Sequence, residues 1–510
     1  MYVVTGDEMH QIDRYTMDVI GLNEVALMES AGQAFCRQLL PSLQKKDQIV
    51  VLIGSGNNGG DGFVIGRILK EAGYNVDVWV IPPEHKIRGA ALTHLRIYER
   101  SGHAWFTYSE RKDQVLYSLN NYAIIVDALL GTGIKGEPRT PYKELIDEIN
   151  LCSNKVISVD VPSGVPSGES DSISIAVKAD ETYTFQAPKI GAYCFPYSNY
   201  YGKLQIFDIG IPLKAFEQLN IQRMVITEDQ VRNTLAKRMP DAHKGSVGKA
   251  IIIGGAQEMI GAPVLSTEAC LRSGVGLVTL AVPDVIHPIV TQKTTEATFW
   301  SLKSNEGQLT NDFLSERSLD GFDGIAIGPG MGRDVKHDLF TSFKDFKGPL
   351  VIDADGLFHL SKELEEWLNG RPGGPTVITP HSGEMARLVG VSIAEIETNR
   401  FALSKAFAKK YNMYVVLKGP KTIVTTPLGE QWVNTTGNAS LAKGGSGDVL
   451  TGMILAFLLQ HNNIITAIIN AVYIHGKSAD DMIKTHDIMS VNASDIVDRL
   501  PLVIRSLRYQ

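Results

Sequence analysis

Cysteine is scarce: Cys36, Cys152, Cys194 and Cys270 are the only four in 510 residues, widely spaced and without a C-x-x-C pair. That excludes a disulfide framework and a cysteine-rich zinc site, and fits the reduced, packed thiols of a cytosolic protein. Basic charge is not in excess either. With 56 acidic against 49 basic residues the net charge is −7, and no basic run occurs, so nucleic acid is not an expected partner. No apolar stretch reaches the ~20 residues a membrane-spanning helix needs, so no membrane association is expected. The opening residues MYVVTGDE turn polar at once, unlike a secretory leader. Low-complexity tracts and short internal repeats are missing too. A cytoplasmic protein acting on small molecules is the expectation.

What is present is alternation. A chain of this length exceeds what one core usually holds, and two α/β blocks can be traced. In the first, the continuous apolar run 49–53 (IVVLI) reads as a strand buried on both faces of a parallel sheet. A helix near 62–72 and strands at 76–81, 123–126, 155–159 and 204–207 follow, the pattern of a doubly wound sheet. The pattern lapses from Pro212 to about Arg223. A second block then predicts strands at 250–253, 277–282, 324–327, 350–352, 376–378 and 414–417, a helix carrying a glycine turn at Gly447, and a final apolar helix near 464–474. Domains are therefore expected at 1–212 and 225–510. In such sheets ligands bind outside the carboxyl ends of the strands.

The segment 441–452 reads LAKGGSGDVLTG and runs straight into an apolar stretch. Gly444, Gly445 and Gly447 let backbone N–H groups converge on an anion where a helix dipole favours negative charge. Asp448 beside it suits a base that takes a hydroxyl proton as a phosphoryl group arrives. The plainer alternative is a flexible loop with an ordinary cap, since Ser446 and Asp448 both cap helices. Four other strand-end clusters keep it company. The turn 326–332 (AIGPGMG) can lie flat against a planar ring. Segment 379–384 (TPHSGE) offers His381 and Glu384, as substrate contacts or as structural groups, with no further ligands for zinc. Segment 417–422 (LKGPKT) offers Lys418 and Lys421 to a polyphosphate or to solvent, and 254–263 offers backbone near a helix start.

In the first block, strand 49–53 runs into GSGNNGGDG (54–62). Five glycines in nine positions allow a tight turn and close approach to a ligand. Asn57 and Asn58 stand where a dinucleotide fingerprint wants small residues, and Asp61 would repel a pyrophosphate. Sugar hydroxyls, a cation, or a plain Asn-Gly turn all remain open. Asp127 (VDALLGTG, 126–133) and Asp160 (VDVPSG, 159–164) are expected at two further strand tips. Asn58, Asp127 and Ser163 offer only hard oxygen ligands, which suits an alkali or alkaline-earth cation and not zinc. Asp160 is then a candidate catalytic base, with Lys189 (QAPKIG) as its electrostatic partner.

Together GSGNNGGDG, DALLGTG and VDVPSG, followed by GPGMG, TPHSGE and GGSGD, closely resemble the bifunctional NAD(P)H-hydrate repair enzymes, over nearly the whole chain. That family joins an NAD(P)H-hydrate epimerase domain, here a Rossmann-like doubly wound sheet, to an ADP-dependent (S)-NAD(P)H-hydrate dehydratase domain of ribokinase-like α/β fold. The resemblance implies hydrate-binding turns at Asn57, Asn58, Gly59, Gly60 and Asp61, and at Gly131, Thr132, Gly133, Ile134, Lys135, Gly136 and Glu137. It implies Asn58, Asp127 and Ser163 as ligands of potassium (K+), and Asp160 as a hydrate contact. In the second block it implies hydrate contacts at Ala262, Gly330, His381 and Asp448. The nucleotide site would comprise Lys418, Gly419, Pro420, Lys421, Thr422 and Gly447, with ADP as cosubstrate and magnesium (Mg2+) as its metal. A homo-oligomer is expected. One departure is Ser30 in LMESAG (27–32), where the family usually carries asparagine.

The implied chemistry is coherent. A hydrated nicotinamide holds a poor leaving group, hydroxyl, at ring carbon 6; phosphorylation makes it a good one, which the ring nitrogen's electron pair can expel. If that step takes one configuration only, the other accumulates unless an epimerase interconverts them. Two alternatives use the same residues: a ribokinase-like kinase of a vitamin-type alcohol, and an N-terminal block that merely senses nucleotides or binds proteins.

Overall fold

The computed structural model of the chain describes residues 1–110, 112, 118–133, 136–169, 175–310, 314, 317–334, 339–367 and 371–509. It comprises two compact units, Tyr2–Ile221 and Gln222–Gln510, the latter joined by Met1. No described helix is long and apolar enough to cross a membrane.

The first unit is built on a parallel sheet of seven strands: β1 (Gln48–Ile53), β2 (Asn75–Val80), β3 (Phe106–Thr107), β4 (Ile124–Ala128), β5 (Lys155–Val159), β6 (Glu181–Phe185) and β7 (Lys203–Phe207), in spatial order β3-β2-β1-β4-β5-β6-β7. Residues 49–53 of β1 are fully buried because helices cover both faces, which is why that strand is apolar without alternation. Three expectations need correcting. The helix after β1 begins at Asn57, not near Gly62, so the glycine-rich run forms its first turns. Glycine is required there by contact: a Cβ on Gly59 would lie 2.1 Å from the Gly54 carbonyl oxygen, and one on Gly60 2.3 Å from Met28 Sδ. Asp127 lies within β4, opposite Leu52 and Ser158, and not beyond its tip. The interior strand β6 (ETYTF) escaped notice because its threonines mask its burial; Thr182 and Thr184 are both fully buried.

Ahead of the sheet, the helix Gly6–Tyr15 is started by a capping box in which Thr5 and Glu8 satisfy each other's backbone N–H. Its Met9 and Ile12 pack into a small apolar cluster with Val4 and Phe216.

The second unit holds β8 (Arg223–Val225), β9 (Lys249–Ile253), β10 (Leu277–Pro283), β11 (Thr298–Leu302), the hairpin strands β12 (Ser304–Asn305) and β13 (Gln308–Leu309), β14 (Gly324–Ile327), β15 (Leu350–Ile352), β16 (Thr376–Ile378), β17 (Tyr414–Leu417), β18 (Ile423–Thr425) and β19 (Gln431–Val433). Ten of these form one sheet, β11-β10-β9-β14-β15-β16-β17-β18-β19-β8. Neighbours are parallel except β17–β18 and β18–β19. The stretch 212–225, expected to lack pattern, contains the helix Leu213–Glu217 in the first unit and β8 in the second. The helix expected to end near Ile474 continues to Met482, and another, Ala493–Tyr509, follows it. His475, Gly476 and Ser478 read as a helix end, yet all three are buried, with Ser478 Oγ bonded back to the Ile474 carbonyl.

The helix Ser446–Gln460 is buried along most of its length, and its position fixes the glycine turn at its start. Gly452 is where it crosses the helix Gly261–Arg272: a Cβ there would sit 1.9 Å from the Ser266 carbonyl oxygen. Gly452→Ala therefore has to separate two packed helices. It should cost about 2–3 kcal/mol, read as a lowered urea midpoint with an unchanged slope.

Candidate active sites

At the carboxyl edge of the first sheet lies a cavity of about 510 Å³, with Asn58, Asp61, Gly131, Thr132, Asp160 and Lys189 among its lining residues. The turns after β1, β4, β5 and β6 converge on it because a parallel sheet puts all these turns on one edge. Asn57 is exposed and donates to Glu24 Oε1 at 3.0 Å, while Gly59 and Gly60 lie buried in the helix behind the wall. Gly133 joins Gly131 and Thr132 on the lining; Gly136 and Glu137 are exposed and off it. Ile134 and Lys135 lie outside the described residues. The repulsion expected of Asp61 needs its ionised form, but burial, with Asp160 and Asp13 nearby, holds that carboxyl well above the usual range.

Asn58, Asp127 and Ser163 are brought together. Asp127 accepts from Ser158 Oγ at 2.8 Å, from the Ser163 N–H at 2.9 Å, from the Leu129 N–H at 3.3 Å, and from Ser163 Oγ. Burial pushes its carboxyl up, against the pull of these donors. Asn58 Nδ2 donates to the Leu130 carbonyl at 3.1 Å, and Ser163 Oγ donates to the same carbonyl at 3.2 Å. Asn58 Oδ1 is buried with no hydrogen-bond partner among the described residues. An orphaned oxygen grouped with a buried carboxylate and a carbonyl, with no nitrogen or sulfur ligand among the three, fits a hard alkali or alkaline-earth cation.

Asp160 ends β5 with a backbone φ of 64°, a left-handed conformation that costs a non-glycine residue energy and needs holding in place. The holding is dense: its Oδ1 accepts from Thr184 Oγ1 at 2.9 Å, from the Phe185 N–H at 3.1 Å, and from Lys189 Nζ. Lys189 is 1% exposed and also donates to Thr184 Oγ1 and the Phe185 carbonyl.

The second unit gathers its polar residues around Lys418, just beyond β17. Its ammonium lies 2.7 Å from Asp353 Oδ1 and 3.9 Å from Glu384 Oε2. A Cβ built on Gly447 would lie 3.3 Å from Lys418 Nζ, so the glycine turn and the lysine loop meet. Asp353 accepts a further bond from Thr451 Oγ1 at 2.6 Å. Burial raises the Asp353 carboxyl, but Lys418 and these bonds outweigh it and hold it below the usual range. Glu384 and Asp448 lack that compensation. Burial, with the charge of Asp353 beside them, pushes each up to about 7.

Gly445, at φ 91°, opens the helix that carries Asp448, and the N–H groups of Gly447 and Asp448 find no acceptor among the described residues. A helix start with open amides is an anion site. Ala262 and Gly330 also meet: a Cβ on Gly330, at φ 60°, would lie 3.1 Å from the Ala262 Cβ. His381 caps the helix Ser382–Val389 through Nδ1, 3.0 Å from the Gly383 N–H, while its side chain stays 60% exposed. Gly419 and Pro420 are exposed at the loop tip, and Thr422 Oγ1 bonds the Gly419 carbonyl. Burial lowers the Lys421 ammonium.

Two sequence profiles match the chain, one described as YjeF-related protein N-terminus over residues 24–191 and one described as NAD(P)H-hydrate dehydratase over 250–502. The bifunctional NAD(P)H-hydrate repair enzyme Nnr of Moorella thermoacetica is 34% identical, covering 99% of this chain and 97% of that protein. Its Escherichia coli counterpart is 32% identical over 98% and 93% respectively. This chain belongs to the bifunctional NAD(P)H-hydrate repair enzymes. A Bacillus subtilis structure, an ADP/ATP-dependent NAD(P)H-hydrate dehydratase co-crystallized with ATP/Mg2+, is 32% identical and covers 56% of this chain and 99% of that one, with a TM-score of 0.50.

In this member of the repair family the sequence reading passed over Asp13, Asp353, Thr451 and Arg400. Asp353 had a signal, since Val-Ile-Asp ends a strand as Val-Asp does at Asp160. Arg400 had none: it lies inside the helix Arg400–Tyr411, 1% exposed, and donates to the carbonyls of Leu417, Lys418 and Lys421 at 3.2–3.3 Å. It thus clamps the lysine loop from beneath. Arg400→Gln leaves those carbonyls short of donors and should cost about 3–5 kcal/mol, measured by chemical denaturation. Arg400→Lys, which lacks the guanidinium fork, should recover only part of the loss.

Proposed function

We propose that the chain repairs hydrated NADH and NADPH, with residues 1–212 interconverting the R and S hydrates and residues 225–510 dehydrating the S form at the expense of ADP, giving AMP and phosphate. The reading is supported above all by Asp448, held at about neutral pKa beside the open amides of Gly447 and the ammonium of Lys418. Asp448 takes the proton of the carbon-6 hydroxyl as its oxygen bonds the terminal phosphorus of ADP; the bridging P–O bond breaks and AMP leaves. The Gly447 and Asp448 amides and Lys418 stabilise the charge on the moving phosphoryl group. The ring nitrogen's electron pair then expels phosphate, and loss of a proton from carbon 5 restores the dihydronicotinamide. Ala262, Gly330 and His381 border the hydrate, and Lys418, Gly419, Pro420, Lys421 and Thr422 hold the nucleotide. Magnesium enters on the nucleotide's phosphates: among the described residues there is no cluster of three His, Cys, Asp or Glu that could hold a metal, and magnesium keeps phosphate and water ligands.

In the first unit Asp160, fixed by Lys189, is the base next to the hydrate. Asn58, Asp127 and Ser163 would hold potassium, which supplies a fixed positive charge at the cavity wall. The protein works as a cytoplasmic homo-oligomer without nucleic acid or membrane partners.

The vitamin-kinase alternative predicts a stable phosphorylated product. The repair reading predicts instead that racemic NADH hydrate with ADP regains all of its NADH absorbance. Asp448→Asn should lower S-hydrate dehydration about 10²–10⁴-fold with the melting curve unchanged; near-normal turnover would remove Asp448 from the base role. Since its ionised form is the active one and its carboxyl is raised to about 7, the dehydration rate should fall as pH drops below about 7. The limb should vanish from the residual activity of the variant.

A further inference from the structure

We propose that Asp13 is the proton donor of the epimerase reaction, facing the same cavity as the Lys189-bound Asp160; this rests on the epimerase reading above. Asp13 lies on the helix Gly6–Tyr15. Its capping box fixes where it begins, and Ile12 is buried on its other face in the apolar cluster with Val4 and Phe216, so its rotation is set. His10, Asp13 and Met17, spaced i, i+3 and i+7, then point together into the cavity and line it with Asn58, Asp61, Asp160 and Lys189.

The groups facing Asp13 come from several elements: Glu24 at the start of the helix Glu24–Leu39, Asp61 in the helix Asn57–Glu71, Asp160 after β5, Lys189 after β6, and His10 on its own helix. The cation is already committed. Lys189 Nζ donates to Asp160, Thr184 and the Phe185 carbonyl, which uses all three of its protons. No hydrogen bond to the Asp13 carboxyl is found among the described residues. Burial, then the charges of Asp160 and Glu24 against that of Lys189, push it up to about 6. The cavity therefore holds one carboxylate tied to the ammonium of Lys189 and one carboxyl able to carry a proton near neutrality, the division that acid–base chemistry needs. Asp61 is likewise held above the usual range, by burial and by the charges of Asp160 and Asp13.

The substrate is a carbinolamine at carbon 6. Asp13 donates its proton to the hydroxyl, the C6–O bond breaks and water leaves, and the ring nitrogen's electron pair forms C6=N1. Water then adds from the opposite face, a new C6–O bond forms, the pair returns to nitrogen, and Asp160 takes the proton. Asp160 then gives that proton up to solvent, and solvent returns one to Asp13. No other reactant is consumed.

The test uses the full chain and purified R hydrate without ADP, following R-to-S interconversion by chromatography and subtracting the spontaneous rate. Asp13→Asn should interconvert the hydrates about 10²-fold more slowly with the same melting transition, and Asp13→Glu should restore part of the rate. Because the protonated form is the active one, the wild-type rate should fall as pH rises through about 6; the limb should be missing in Asp13→Asn and displaced in Asp13→Glu. Wild-type turnover in Asp13→Asn, or an unmoved limb in Asp13→Glu, overturns the assignment. A wild type that leaves R hydrate untouched overturns the epimerase reading instead.

Discussion

Lys418 reaches Asp353 at 2.7 Å and Glu384 at 3.9 Å, while Asp448 completes a group of three carboxyls around one ammonium. One positive charge cannot balance three negative ones. Asp353 takes most of it, helped by Thr451, and remains ionised. The others bear the residual repulsion together with their own burial, and Glu384 and Asp448 rise toward neutral pKa. The basicity of Asp448 is thus set by its own burial and, next, by a pair it does not belong to.

Backbone placement makes this possible. Asp353 follows β15, Lys418 follows β17, and Asp448 opens the helix Ser446–Gln460, so three distant segments meet only because parallel strands end on one edge. Their separations are then fixed by contacts that tolerate no added atom, such as Gly452 on the Ser266 backbone. Arg400, bonded to three carbonyls of the lysine loop, does for that loop what the glycines do for the helix. The first unit uses a different device for the same end. Asp160 sits in a strained left-handed backbone conformation, held there by three donors converging on one carboxylate oxygen.

The strands that were legible in the sequence were those whose burial on both faces leaves a continuous apolar run: β5, β14, β15, β16 and β17 stand where periodicity put them. Interior strands carrying polar residues were not legible. β6 reads as ETYTF because Thr184 has to reach Asp160, so the function that makes it important also disguises it. The helix Asn57–Glu71 was placed five residues late for a related reason: three glycines in its first six residues signal a turn, but close approach to Gly54 and Met28 is what two of them serve. Among site residues, those in glycine-rich turns announced themselves. Asp13 and Arg400 did not, since each sits in an ordinary helix and is meaningful only through what the tertiary structure sets against it.

The two units, unrelated in strand order, arrive at the same electrostatic arrangement. Each ties one strand-end aspartate to a lysine, Asp160 to Lys189 and Asp353 to Lys418, and each leaves a second carboxyl in the same cavity or cluster without a counter-ion, so that its pKa climbs to about 6 or about 7. The chemistry explains the likeness. Both proposed reactions begin at the same hydroxyl on carbon 6, and both end with the ring nitrogen driving an oxygen off that carbon. They differ in what makes the oxygen leave. A proton suffices where the bond need only open and re-form, so the first site requires nothing beyond an acid, a base and water. Net loss of the hydroxyl must be made irreversible, so the second adds open helix amides and a lysine loop to bring a phosphoryl group.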